Sequence, residues 1–480
     1  MTPGRAILLA LVLVLLAATP AHAARGMEMA IEDEDAFVDQ KYGQREAVLA
    51  AAQALGVTRM RILVQWSRVS DADQSSPSGN PDYYWDPIDD TIDAAAQYGI
   101  RAQLTLTGPA PAYASGNHRV GFPIVNPNPS LYADFVRAAA EHFKGRVDRY
   151  AIWNEPNYPA WIAPQRQSPK IYRPLYVAGY HAIRSADPRA KVLIGETVPY
   201  DDPGPATAPL KWLRAVACVN AKYKRIGHCT PLKADGYAHH PYEFLHPPNY
   251  KYPGNDNAPI GSLGRLRAAL NKLAQAHALS TPKGQPLDMY LTEFGYFVSG
   301  KRAITGSKRA KWLPQAFDIA ARQPSVREMV QYNVVAPLAT VSQFTTGLVN
   351  TSGSPLPEFS RLLTWTRQAL ARGRIKRPGA ALDLPQRPGG TPVGTSGAPP
   401  PTGTSGGGGT GSGGGQTVPP PPPPSSSGDG SGGTTSGSGT SGGGTSGGGG
   451  TSGGGSGGGG SGGGSGGTIC IPIPLVITCP

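Results

Sequence analysis

Apolar and polar positions along residues 26–373 follow two rhythms that alternate from one end to the other. Short apolar runs of strand length are each followed by a longer stretch with apolar residues at helical spacing. The first strand is expected at Gly26–Ile31, closing on Glu32-Asp33, and Arg45–Leu55 is Ala-rich and helical, stopped by Gly56. Thr58–Trp66 is the second strand and Pro87–Tyr98 the second helix, ended by Gly99. Arg101–Thr107 is the third strand; Pro129-Ser130 opens a helix to Lys144, with Gly145 as its cap. Val147–Trp153 is the fourth strand, and a helix runs from Ser168 to Ala186. Strands at Val192–Gly195, Ala234–His239, Leu287–Thr292 and Val326–Val335 follow, separated by helices at Leu210–Val219, Leu263–Ala278 and Lys308–Arg322. Phe359–Ala371 is the last helix.

Strand and helix in strict alternation predict a parallel α/β architecture. Eight such units within residues 24–378 match a (β/α)8 TIM barrel. A doubly wound open sheet would usually carry a Gly-rich phosphate loop after its first strand, and none occurs here.

The chain outside these units changes the picture at both ends. Arg5, the apolar run Ala6–Ala18 and Ala21-His22-Ala23 read as a secretory signal peptide over residues 1–23. Residues 379–467 are mostly Gly, Ser, Thr and Pro and cannot bury a core, so a disordered linker is expected there. Residues 468–480 form a short apolar segment clipped between Cys470 and Cys479. A docking role for it, for instance on a cell envelope, stands beside the plainer reading of a stub without a partner. Four cysteines in an exported chain point to two disulfides, with three connectivities open; nearest neighbours would pair Cys218 with Cys229 and Cys470 with Cys479. The net charge of +12 is spread over helices without basic–aromatic interleaving, which speaks against a nucleic-acid partner. No other segment is long and apolar enough to be read as a membrane span.

Two strands end in the same way. Tyr150-Ala151-Ile152-Trp153 is followed by Asn154-Glu155-Pro156, and Met289-Tyr290-Leu291-Thr292 by Glu293-Phe294-Gly295. A carboxylate at the C-terminal end of a barrel strand stands where such folds keep their chemistry. Strands four and seven are not adjacent, so the two carboxyl groups face each other across the mouth. Hydrolysis of a glycosidic bond needs such a pair, one protonated to serve the leaving oxygen and one ionised.

Trp153-Asn154-Glu155-Pro156 with Thr292-Glu293-Phe294-Gly295 three strands later resembles the clan A glycoside hydrolases, which include cellulase-like family 5 and xylosidase-like family 39. The resemblance implies a retaining enzyme on β-linked substrates, with Glu155 as acid/base, Glu293 as nucleophile and no cofactor. It implies that Asn154 bonds the substrate 2-hydroxyl and that Arg61 lies beneath Glu293 and holds it ionised, while burial holds Glu155 protonated. His240-Pro241-Tyr242 resembles the clan's strand-six motif: Tyr242 would orient Glu293 and His240 would line the sugar site. Thr346-Gly347-Leu348-Val349 looks like the loop after strand eight. Two positions depart from the pattern: Tyr332 stands near the end of strand eight, and Tyr113-Ala114 after strand three, where relatives often carry Trp.

Plainer readings stand beside these. Glu32-Asp33 and Glu196 are rival carboxylates at strand ends. Trp66, Tyr158 and Trp161 are candidates to stack on sugar or to pack. His239 or His240 could ligate a metal, although vicinal strand residues face opposite ways, so at most one enters the site. A polysaccharide or oligosaccharide is the expected partner. A barrel that binds surface glycan without turning it over is the alternative from another class.

Overall fold

The computed structural model describes residues 26–70, 83–117, 125–201, 206–304, 306–337 and 344–388. Eight parallel strands close into a barrel in chain order: β1 (Glu28–Glu32), β2 (Arg59–Gln65), β3 (Arg101–Thr107), β4 (Val147–Ile152), β5 (Lys191–Thr197), β6 (Gly236–His239), β7 (Met289–Leu291) and β8 (Val326–Tyr332), with β8 pairing back onto β1. The longer helices are α1 (Arg45–Ala54), α2 (Asp86–Gln97), α3 (Pro129–His142), α4 (Ser168–Ala186), α5 (Pro209–Val216), α6 (Leu263–Gln275), α7 (Gly306–Ala321) and α8 (Pro357–Ala371), and single helical turns stand at Glu34–Phe37 and Trp66–Val69. The expected (β/α)8 barrel is thus the fold.

Strand periodicity explains the two interiors. Alternate residues such as Met29, Ile31, Met60, Ile62, Leu104, Leu106, Ile152, Val192, Ile194 and Met289 belong to the large apolar core that takes in the helices. Ala151, Leu193, Ala238 and Tyr290 form a separate, smaller apolar cluster. Below that plug, Glu28, Arg59, Arg149 and Glu328 make a buried ionic layer, with Arg149 2.7 Å from both carboxylates. Above it stand the residues at the strands' C-terminal ends.

Three features lay outside the sequence reading. Strand eight stops at Tyr332, not Val335, because Asn333 turns with φ 55° and the N–H groups of Val334 and Val335 go to the Asp33 carboxylate. Leu232–Lys233 and Leu279–Ser280 pair as a small parallel ribbon outside the barrel. The chain also stays attached beyond Pro378: Leu382 N–H bonds to Ala96 at the end of α2, Leu384 packs on the core, and Arg387 pairs with Asp90 and Asp93. Cys218 and Cys229 form a disulfide across the turn after α5. Among the described residues no helix is long and apolar enough to cross a membrane. The signal-peptide reading, residues 389–467 of the expected linker and the Cys470–Cys479 pairing lie outside the described residues.

Candidate active site

The site is built where β4, β6 and β7 end. After Ile152 the backbone turns sharply, with Trp153 at φ 66° and Glu155 at φ 38°. Such left-handed conformations cost a non-glycine residue about 1–3 kcal/mol and persist only where the surroundings fix them. Here Trp153 N–H bonds to Leu106, Asn154 N–H to Thr107 Oγ1, and the Trp153 indole to the Trp161 carbonyl. Trp161 in turn donates its indole N–H to Glu155 Oε2 at 3.0 Å, and His240 Nδ1 lies 2.9 Å from Oε1. Both oxygens of Glu155 are therefore aimed.

Glu293 is held from the other side. Arg61 Nη1 donates to Oε1 at 3.0 Å, and the Tyr242 hydroxyl donates to Oε2 at 3.0 Å. Arg61 also donates to Asn154 Oδ1 at 2.7 Å. That contact uses the acceptor end of the Asn154 amide. Each of Glu155 and Glu293 is 7% exposed, enough for contact with a ligand but not for free hydration. One oxygen of each and one His240 ring nitrogen come within 4.8 Å of one another.

The electrostatics are set by burial and by two cations. Burial pushes the Glu293 carboxyl above its ordinary range, and His240 and Arg61 pull it back only in part. Arg61 does favour the ionised Glu293, as expected of a nearby cation, but it works against burial. Burial alone would depress His240, but Glu293, Glu155 and Glu196 raise it to about 9. Burial, with the neighbouring His240 charge, lowers His239 to about 4.

His239 points away from the site: its ring nitrogens meet Thr197 Oγ1 and the Ala258 carbonyl. Glu155, His240 and Glu293 together have the reach to hold a metal ion. Their chemistry does not fit one. His240 faces a carboxylate at each ring nitrogen, and a divalent ion would lie beside the Arg61 guanidinium. No step through a metal follows from these residues.

The remaining candidates divide. Trp66 is fully buried and stacks on Phe135, so it belongs to the core. Trp161 and Tyr158 are also buried, and the polar edge of Trp161 is spent on Glu155. Tyr332 ends β8 half-buried, its ring edge-on to Phe344 at 5.1 Å. Glu32 and Glu196 both reach Arg61, at 2.5 and 3.4 Å. The sequence reading treated these two as rivals; they are partners of the same guanidinium. Thr105, which accepts from Arg61 and donates to Glu196, and Thr292, which donates to Glu196, carry no role in the sequence reading, although Thr105 sits at an inward position of β3 and Thr292 directly follows β7.

No family model matches the sequence, and no curated protein does. Solved structures do match. A family 39 glycoside hydrolase from the gut symbiont Bacteroides cellulosilyticus superposes with a TM-score of 0.53 at 18% identity, over 72% of this chain and 64% of that one. The likeness is one of fold. An exo-β-1,4-mannosidase from Opitutaceae bacterium strain TAV5 gives a TM-score of 0.47 at 16% identity, covering 74% and 61%. Thermotoga maritima Cel5A, solved with mannotriose, gives 0.45 at 14%, covering 72% and 100%. The chain spans under two thirds of the first two structures. What this chain shares with the family 39 structure is the fold, here a closed parallel barrel of eight strands.

Proposed function

We propose that this chain is a secreted retaining glycoside hydrolase that cleaves β-linked oligo- or polysaccharide by double displacement. The observation that carries the reading is the carboxyl pair. One oxygen of Glu155 and one of Glu293 lie within 4.8 Å of each other at the barrel mouth, and a single atom, His240 Nδ1, reaches both carboxylates at 2.9 and 3.5 Å, a closeness that favours the narrower of two spacings. Carboxyl groups about 5–5.5 Å apart serve a covalent glycosyl-enzyme, whereas an inverting enzyme needs roughly 6.5–9.5 Å to admit water between them.

In this reading Glu293 attacks the anomeric carbon and Glu155 gives its proton to the departing oxygen. Arg61 and Tyr242 aim the attacking carboxylate, and Trp161 aims the acid. Asn154 offers its amide N–H2 to the sugar 2-hydroxyl, a bond that strengthens as the ring flattens. Glu155 then takes a proton from water, which attacks the same carbon and releases Glu293. A positioned acid contributes about 10²–10⁴-fold to such a step. Export is part of the proposal and is supported by the pattern of residues 1–23.

The test is intact-protein mass after incubation with a panel of activated 2-fluoro glycosides. A sugar adduct is expected on the wild type and absent in Glu293→Gln. No adduct with any sugar, together with glycan-array binding by the untreated protein, would replace the enzyme by a glycan-binding barrel.

A further inference from the structure

Beneath the two carboxyl groups lies a third that the steps above do not use. β5 ends in a bulge: its register with β6 shifts between Gly195 and Thr197, and Glu196 adopts φ 51°. The bulge turns the Glu196 side chain inward, where the residue is fully buried. Its carboxylate accepts from His240 Nε2 at 2.7 Å, Thr292 Oγ1 at 2.5 Å, Thr105 Oγ1 at 3.1 Å and Arg61 Nη2 at 3.4 Å. Donors from four strands or strand ends converge on it, which is the setting of a permanent anion. Burial opposes the charge, yet Arg61 and His240 hold the carboxyl down at about 2.

His240 is the other half of the device. Its Nε2 faces Glu196, and its Nδ1 faces Glu155 at 2.9 Å and Glu293 at 3.5 Å. With carboxylate oxygens at both ring nitrogens, the doubly protonated ring is the form that satisfies every contact. The charged groups around it are Glu155 beyond β4, Glu196 on β5, Glu293 beyond β7 and, through Glu196, Arg61 on β2; neutral His239 precedes it in the chain.

We propose that Glu196 is a positioning residue whose fixed negative charge keeps His240 an imidazolium, so that one buried cation serves Glu155 and Glu293 in turn. In the first half-reaction a proton passes from Glu155 to the glycosidic oxygen as that oxygen's bond to the anomeric carbon breaks. A Glu293 oxygen forms its bond to the same carbon. Glu155 gains a negative charge as Glu293 loses one, and the sum over the pair is unchanged. His240 lies against both, so it faces a carboxylate before and after the exchange. In the second half-reaction Glu155 takes a proton from water, the water oxygen bonds to the carbon, the ester bond to Glu293 breaks, and the charges return. Glu196 takes no part in the exchange. Its constant charge stops the imidazolium from surrendering its proton to Glu155 when Glu155 becomes anionic.

The catalytic consequence rests on the glycoside-hydrolase reading; the charge on His240 does not. The experiment is therefore ¹⁵N NMR of the full chain labelled in histidine, with the His240 ring signals assigned by their loss in His240→Gln. The wild type is expected to carry protons on both ring nitrogens at about pH 7.5 and to titrate well above the ordinary histidine value of ~6.5. Glu196→Gln should lower that titration by at least about one unit, since it removes a facing charge. Glu155→Gln should leave the imidazolium in place at the same pH. A neutral His240 in the wild type, or an unshifted titration in Glu196→Gln, overturns the proposal. If Glu196→Gln does not fold, Glu155→Gln and Glu293→Gln decide together: an imidazolium kept in both leaves Glu196 as its holder, and loss in either assigns the charge to that carboxylate and overturns the proposal as well. A missing 2-fluoro adduct would touch the enzyme reading and leave these signals unaffected.

Discussion

Tyr242 offers a test of how single contacts set the reactivity of Glu293. Its hydroxyl donates to Glu293 Oε2, while burial works against the ionised carboxylate. The active form of a nucleophile is the ionised one, so activity should fall as pH drops through a carboxyl value already raised above the ordinary 4.5. Tyr242→Phe removes a donor to that ionised form, which raises the value further. The acid limb of kcat/KM should therefore move to higher pH. A hydrogen bond to a charged group is worth about 1.5–3 kcal/mol, so kcat/KM should also fall about 10- to 100-fold on the unfluorinated parent of the glycoside that labels Glu293. A pH profile of both proteins checks this; an unmoved acid limb would remove Tyr242 from any role at the carboxylate.

At the scale of the strand, β5 ends with positive φ at two successive residues, Gly195 and Glu196. Gly195 sits at φ 121°, and a Cβ there would lie 2.4 Å from the Ala238 carbonyl oxygen and 2.8 Å from the Tyr237 ring. Gly195→Ala should therefore force β5 away from β6 and cost about 2–4 kcal/mol, combining backbone strain with overpacking. For a barrel of this size that corresponds to a fall in Tm of roughly 3–5 °C, measurable by calorimetry; a wild-type Tm would show that the strand end yields freely. This strand also marks where sequence reading stops. Strand three was legible to the residue, because alternation and a clean Gly99 stop bound it on both sides. Glu155 and Glu293 were legible because each ends an apolar run. Glu196 was visible as a carboxylate at a strand end, but a bulge reverses the direction of a side chain, and no spacing rule reveals a bulge. The convergence of Arg61 on Glu32, Asn154, Glu196 and Glu293 joins residues from five strands or strand ends, so it exists only once the barrel has closed.

Across the whole molecule the two ends of the barrel do different work, and the chain after α8 belongs to the end without the chemistry. Ile375 bridges Met27, and Lys376 pairs with Glu28 at 3.0 Å in the ionic layer at the strands' N-terminal ends. The segment then passes the end of α2, where a Cβ on Gly99 would meet the Gly379 carbonyl at 2.6 Å, and places Pro385 against Gly145. Composition alone assigned residues from Gly379 onward to a linker; Leu382 and Leu384 are single apolar residues that no periodicity frames. Two truncations separate the readings. Ending the chain after Pro388 keeps every contact of this segment and should leave Tm unchanged. Ending it after Pro378 removes the Leu384 packing, the Leu382 hydrogen bond and the Arg387 pairs. The ion pairs are exposed and worth little, so most of the loss is partial burial of one leucine and one backbone hydrogen bond, about 1–3 kcal/mol together. A Tm about 1–4 °C lower is expected for that truncation alone. Turnover of a small glycoside should be the same in both, because the segment lies at the opposite end from Glu155 and Glu293. Equal Tm values would return residues 379–388 to the linker, and a loss of turnover in the longer truncation product would show that residues beyond Pro388 reach the barrel mouth.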